Sequence, residues 1–207
     1  MIQTEGIFVG GSAISAPIIG KDFNWSGSDG TYQVLDDGGG NWRIKFLSSG
    51  TFTPLKNMVI DVFLVGGGGG AGSSYCGEGG AGYTTTVRSV VLTANTAYSI
   101  VVGAAGTNGN PSSAGGSGGA GYVSPVATTT GGTDGGDGTS SATTGGKGQG
   151  TTTREFGEAD GTLYASGGGS NLSATVANSG NGGRNGITSI APADGIVVIR
   201  QHKEVAA

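Results

Sequence analysis

A handful of side chains in this sequence have types and spacings that could do chemistry. Glu155 and Glu158, like Asp134 and Asp137, form carboxylate pairs of the kind a glycosidase divides between acid and nucleophile or base. The DGGDG stretch around the second pair also offers carboxylate oxygens, the ligand type Ca²⁺ takes. His202 is the only histidine and Cys76 the only cysteine, so a Ser-His-Asp or Cys-His arrangement would have to run through them. The run GGGGGAGSS, which follows the apolar VFLV, invites a phosphate-cradling reading.

Each of these meets an obstacle in the surrounding residues. A phosphate loop of the Walker type needs a Lys followed by Ser or Thr, and here Ser73, Ser74 and Tyr75 follow with no Lys near. A dinucleotide fingerprint needs a helix after its glycines, and none is readable. His202 lies in a short polar tail after the last apolar run and is expected to be solvated. Cys76 sits among glycines as a small filler. Both carboxylate pairs lie in loop-like sequence, and turn chemistry accounts for DGGDG as well as a cation does. The expectation is therefore no enzyme, no cofactor and no metal, with Asp134/Asp137 the one weak Ca²⁺ candidate.

Aromatic residues in glycine-rich loops remain: Tyr75, Tyr122, Phe156 and Tyr164. Such a ring brings a large rigid area with a polar handle, suited to stacking on sugar or anchoring a protein. The competing reading is that each ring plugs an edge where glycine backbone leaves gaps. Tyr83 and Tyr122, each in an Ala-Gly-Tyr context, suit the plug. Arg154, Glu155, Phe156 and Tyr164, in the long link REFGEADGTLYA, are the residues expected to touch a receptor.

Whatever these residues do, the elements around them must position them. The chain has 207 residues, enough for one large domain or two small ones. Charged residues make up only 12% and the net charge is −4, which argues against a sequence-independent nucleic-acid binder. One cysteine permits no intrachain disulfide. MIQTEGIFVGGSAISAPIIG lacks a basic n-region and a sustained apolar run, so it is not read as a signal peptide. No stretch of about 18 apolar residues calls for membrane insertion.

Five segments read as strands: Trp42 to Leu47, Met58 to Val65, Tyr83 to Leu92, Tyr98 to Val102 and Gly195 to Arg200. They are rich in β-branched and aromatic residues and bounded by Gly, Pro, Asn or Asp. In WRIKFL, Trp42, Ile44 and Phe46 alternate with Arg43 and Lys45. MVIDVFLV is apolar almost throughout, as a strand buried on both faces would be. Tyr32 to Leu35 should return through DDGGGN into the Trp42 strand as a hairpin, and TANTA reads as a hairpin-like turn between the strands it separates. GIVVIR is expected beside the Met58 strand, closing the glycine-rich segment as an insertion. No segment shows helical periodicity with caps.

That insertion holds 36 of the 47 glycines, between Gly66 and Gly186, in short clusters joined by links such as VSPVATTT and REFGEADGTLYA. Polyglycine can adopt an extended helix with about three residues per turn and no internal hydrogen bonds, so its polar groups are free to bond neighbouring rods. Backbones can approach so closely only where no Cβ intervenes, and buried polar groups demand partners. The expected fold is thus all-β, a small β-sandwich-like base with an inserted bundle of polyglycine II helices and essentially no α-helix. Residues 1–21 would be an attachment or oligomerisation segment. Residues 22–200 would be the glycine-rich domain, with the base at 30–65, 83–102 and 195–200 and the rods at 66–82 and 103–190. Residues 201–207 would be a tail.

WRIKFLSSGTFTPLKNMVIDVFLVGGGGGAG, then YSIVVGAAGT and the closing DGIVVIR, resemble the glycine-rich domain of bacteriophage and prophage tail proteins. The rod clusters are more loosely similar to the polyglycine-helix adhesins at the tips of T-even-like tail fibres. The resemblance covers about residues 30–200. It implies a virion protein of the phage tail, assembled in host cytoplasm, whose loops between rods contact a bacterial surface receptor, either polysaccharide or outer-surface protein. It also implies other virion tail proteins as partners through the N-terminal segment, with room for a homo-oligomer such as a trimer. A purely structural virion protein, a head fibre or tail-tip scaffold, is the alternative.

Overall fold

A computed structural model describes residues 8–9, 12–13, 22–27, 30–72, 77–109, 121–125, 127–131, 153–167, 176–184 and 189–202. Near the start, β1 (Phe8–Val9) pairs antiparallel with β2 (Ser12–Ala13). Two five-stranded antiparallel sheets follow. The first orders β11 (Ala127–Thr129), β10 (Gly121–Ser124), β9 (Tyr98–Val101), β6 (Gly50–Pro54) and β3 (Phe23–Trp25). The second orders β4 (Tyr32–Gly38), β5 (Asn41–Phe46), β14 (Ile196–Gln201), β7 (Met58–Val65) and β8 (Thr84–Leu92). The fold is all-β, and the sheets share one core.

That core follows from strand alternation. Ile44 and Phe46 of β5, Ile60, Val62 and Leu64 of β7, and Val197 and Ile199 of β14 face Phe23, Phe52, Tyr98 and Ile100 of the opposite sheet. Each fully buried side chain of this size contributes about 1.5–3 kcal/mol of apolar burial. The expected pairing of the Met58 strand with the last strand is present, from Ile196↔Val65 to Gln201↔Ile60. The DDGGGN hairpin is present too, with Gly38, Gly39 and Gly40 all at positive φ (77°, 62° and 81°), a run that side-chain-bearing residues would strain to make.

β7 and β14 are buried on both faces. Phe63, Val65, Ile196 and Val198 point away from the main core into a second cluster with Ala81, Phe156, Tyr164 and Ala165. Its cover is the link itself: β12 (Thr153–Arg154), a 3-10 turn at Glu155–Gly157 and β13 (Leu163–Tyr164) fold as a small hairpin over the second sheet.

Two expectations are corrected. TANTA does not close a hairpin, because β8 pairs with β7 while β9 pairs with β6 and β10 in the opposite sheet. The turn carries the chain between layers. VSPVATTT is likewise no simple link between rods: part of it forms the β10–β11 hairpin at the edge of the first sheet.

Beyond the sheets the strands run on as extended, mostly glycine-rich segments: β7 into 66–72, 77–83 into β8, β9 into 103–109, and 190–195, which holds one glycine, into β14, with 179–184 packed among them. Their bonding has a period of three. Gly66, Gly69 and Gly72 donate to the carbonyls of Tyr83, Gly80 and Gly77 at 3.0, 2.8 and 2.8 Å. Gly106 and Gly109 donate to Gly68 and Ala71 at 2.8 and 2.7 Å, while Gly79 and Gly82 donate to Gly183 and Gly180, both at 2.8 Å. A β-strand returns to the same neighbour every second residue; a return every third residue is the polyglycine II pattern. The segment 66–72 is central, bonded to all four others through Gly80, Gly106, Gly183 and Ala193.

Candidate functional site

The richest chemistry lies where the link 153–164 crosses the second sheet. Strand register sets it up: Arg43 of β5 pairs with Arg200 of β14, which pairs with Asp61 of β7. The three form one row across the sheet, with Lys45 two residues further along β5. Arg43 and Lys45 thus occupy the face opposite the core, as their alternation with Ile44 and Phe46 requires. The link brings Glu155 and Glu158 down onto these cations.

Glu155 is wholly buried. Its Oε1 accepts from Arg43 Nη1 at 2.5 Å, and its Oε2 accepts from Lys45 Nζ at 2.6 Å and Tyr164 Oη at 3.1 Å. Arg43 Nε also donates to Asp37, at 2.8 Å. Glu158 Oε1 accepts from Arg200 Nη1 at 2.5 Å. Asp61, also wholly buried, accepts from Arg88 Nη1, Arg200 Nε and the Ser89 backbone N–H at 3.1, 3.3 and 3.2 Å, with His202 Nδ1 2.6 Å away. Four basic residues (Arg43, Lys45, Arg88, Arg200) meet four acidic ones (Asp37, Asp61, Glu155, Glu158), so the cluster is near neutral. Among the described residues no buried side-chain polar atom lacks a partner, which a charged network in low dielectric requires.

The sequence expectation for this link changes in kind. Glu155, Phe156 and Tyr164 are 0%, 2% and 5% exposed, turned into the chain's own interior where no receptor reaches them. Phe156 stacks under the Arg200 guanidinium, 4.0 Å from ring centroid to Cζ, and meets Phe63 at 5.7 Å. It does so at φ 53°, a conformation costly for a side-chain-bearing residue and held here by the packing around it. Arg154 is exposed, with its Nη1 donating to the Gly161 carbonyl at 2.9 Å. The plug reading describes Phe156 and Tyr164. Tyr83 departs from it, with 37% of its surface exposed. The side chain of Tyr122, and Tyr75, Cys76, Asp134 and Asp137 altogether, lie outside the described residues. Among those described, no group of His, Cys, Asp and Glu is arranged to hold a metal ion.

Sequence reasoning missed Asp61, Arg88 and Arg200, and read His202 as a solvated tail residue. His202 is tied in by its backbone N–H to the Val59 carbonyl at 3.0 Å as well as by its ring, not left in a solvated tail. One signal was legible: an aspartate within the apolar run MVIDVFLV must find charge partners if the strand is buried on both faces.

The carboxylates dictate acid sensitivity. Burial alone would raise the Glu155 pKa, but hydrogen bonds and charge from Lys45 and Arg43 outweigh it and hold it below the ordinary range. Asp61 is also lowered: burial opposes, and His202, the Ser89 N–H and Arg200 outweigh it. A depressed folded-state pKa gives stability that is full above the unfolded value, about 4, and lost as pH falls through the folded value. Thermal scans should therefore show a melting temperature nearly flat from neutrality to about pH 5 and falling steeply below about pH 4. Glu155→Gln should flatten that acid limb.

At the opposite end of the glycine segments, Asn108 ties four of them together. Its Nδ2 donates to the carbonyls of Arg184 and Ile190 and to Ser189 Oγ at 3.2, 3.0 and 3.1 Å, while its Oδ1 accepts the Ala71 N–H at 2.9 Å. Gly72, Gly77, Gly109 and Arg184 all lie at this end, away from the sheets, as the hydrogen-bond register requires.

A family model described as Glycine-rich domain matches residues 47–202. No curated protein matches the chain.

Proposed function

The chain belongs to the glycine-rich domain family, and on that premise we propose that it is a bacteriophage tail or tail-fibre protein that binds the bacterial surface through the far end of its rod bundle. The observation that carries the reading is the common polarity of the rods. Four of the five join a strand of the base, 179–184 packs among them, and the chain leaves 66–72, 103–109 and 179–184 at one distal end. Backbone-to-backbone packing admits few side chains between the rods and so leaves sequence variation mainly to the connecting segments, which suits a contact surface that must change while its scaffold does not. The phage-tail resemblance of WRIKFL, VFLVGGGGGAG and GIVVIR supplies the context.

The test is saturable binding of the labelled chain to a panel of bacterial strains. Binding should be abolished when segments 73–76 and 110–120 are replaced by Gly-Ser of equal length in a protein that still melts cooperatively. Absence of binding to every strain would sink the adhesin reading.

A purely structural virion role has one observation in its favour: the link expected to present Glu155, Phe156 and Tyr164 is consumed in clamping the chain's own sheet. That reading gains if no strain is bound while the full chain captures other tail proteins and loses them when residues 1–21 are removed.

A further inference from the structure

Outside the contacts that clamp the link, three residues from distant parts of the chain meet at the edge of the second sheet. Ser89 Oγ lies 3.3 Å from His202 Nε2, and His202 Nδ1 lies 2.6 Å from Asp61 Oδ1. We propose that Ser89, His202 and Asp61 form a nucleophilic triad able to open short-chain carboxylic esters.

The tautomer follows from the partners. A buried carboxylate accepts only, so in the neutral ring the proton belongs on His202 Nδ1, and Nε2 is then the atom that accepts from the Ser89 hydroxyl. Asp61 is held rigidly by Arg88, Arg200 and the Ser89 N–H, so it orients the ring as the third member of such a set must. Ser89 is exposed and sits at φ 56° in the β7–β8 bulge opposite Asp61. A side-chain-bearing residue there is strained, and strain of this kind gathers at functional positions. The bulge also switches which residues of β8 face the core, from Val87 to Val90 and Leu92, and so turns Arg88 and Ser89 out together.

In the first step Ser89 Oγ bonds to the ester carbonyl carbon as its proton passes to His202 Nε2. The carbon–alkoxy bond then breaks, and the departing oxygen takes that proton as the alcohol. Water, deprotonated by Nε2, attacks the acyl-serine, whose Oγ recovers the proton as the acid leaves. The Ser89 N–H is already donated to Asp61, so it does not serve a developing oxyanion. The serine is open to solvent, which gives a bulky acyl chain little to grip. Both features direct the activity to small, activated esters and away from peptide bonds.

The test uses the full chain with p-nitrophenyl acetate and a fluorophosphonate probe, with peptide mapping of the labelled site. The wild type should label once, on Ser89. Ser89→Gly relieves the positive φ, so it should melt no lower than wild type while its labelling falls to background. His202→Gln, which keeps a hydrogen-bonding side chain but no base, should slow labelling by about 10²–10⁴-fold. Wild-type labelling no faster than Ser89→Gly, labelling at another residue, or unchanged labelling in His202→Gln would each overturn the proposal.

Discussion

Gly70→Ala should destabilise the chain by about 4–5 kcal/mol, at the extreme of single-substitution effects, although it adds only one methyl group. A Cβ at residue 70 would stand well inside 3.0 Å of the Thr107 carbonyl oxygen, a separation real Cβ atoms essentially never show. What it meets is backbone, which has no rotamer with which to give way. The same holds at Gly68 against Asn181, Gly79 against Gly69 and Gly82 against Gly66. Relief requires neighbouring rods to part, and parting them strands buried N–H and C=O groups without partners. A domain of ordinary stability, about 5–15 kcal/mol, would lose a third or more of it. Gly167→Ala is the matched control: its Cβ would meet nothing within 4 Å, and its effect should stay within about 0.5 kcal/mol. Ala81 shows the rule from the other side, since it sits in a rod but belongs to the second hydrophobic cluster rather than facing another backbone. Denaturant midpoints of the two variants decide the matter.

Glu155→Gln is the second large effect, expected at about 3–5 kcal/mol, the range for removing one partner of a buried ion pair. The carboxylate neutralises Arg43 and Lys45, whose side chains are only 17% and 14% exposed, so deleting its charge leaves two cations in a poorly solvated place. The attraction itself is not the source of the loss, because desolvation nearly cancels it. Replacing Arg43, Lys45 and Glu155 together with Met, Met and Leu should therefore recover most of the stability lost by Glu155→Gln alone. Chemical unfolding of the single and triple variants measures both. Equal losses in the two would contradict this view of the network.

Much of the base was legible because strands announce themselves through their faces. Trp42, Ile44 and Phe46 alternate with Arg43 and Lys45, and MVIDVFLV could be continuous only if covered twice. What the pattern did not disclose was the cover, since the link supplying it lies 112 residues from Arg43 in sequence. REFGEADGTLYA reads as an exposed loop by composition. Its acidic residues are interior because the sheet face beneath them is cationic, a complementarity that no local window contains. β6 and β10 escaped notice for a different reason: GTFTP and GYVS each carry little apolar signal, and pairing within a sheet decides their state, not propensity. The bulge at Ser89 left one trace in the sequence, a three-residue step from Val87 to Val90 where a regular strand would step by two.

The rods were anticipated from glycine content, yet the clusters in the sequence have no strict period. The period of three appears only in the hydrogen bonds, because it belongs to backbone geometry and needs no recurring side chain to mark it. Backbone-resolved amide hydrogen exchange tests this bundle most directly. If the glycine segments are packed, the amides of Gly68, Gly69, Gly79, Gly82, Gly106 and Gly183, all donated to neighbouring rods, should exchange as slowly as those of Val62 and Ile199 in the sheet core. Exchange of those glycine amides at the rate of an unstructured chain, while Val62 and Ile199 stay protected, would contradict the backbone-packed bundle on which the account rests.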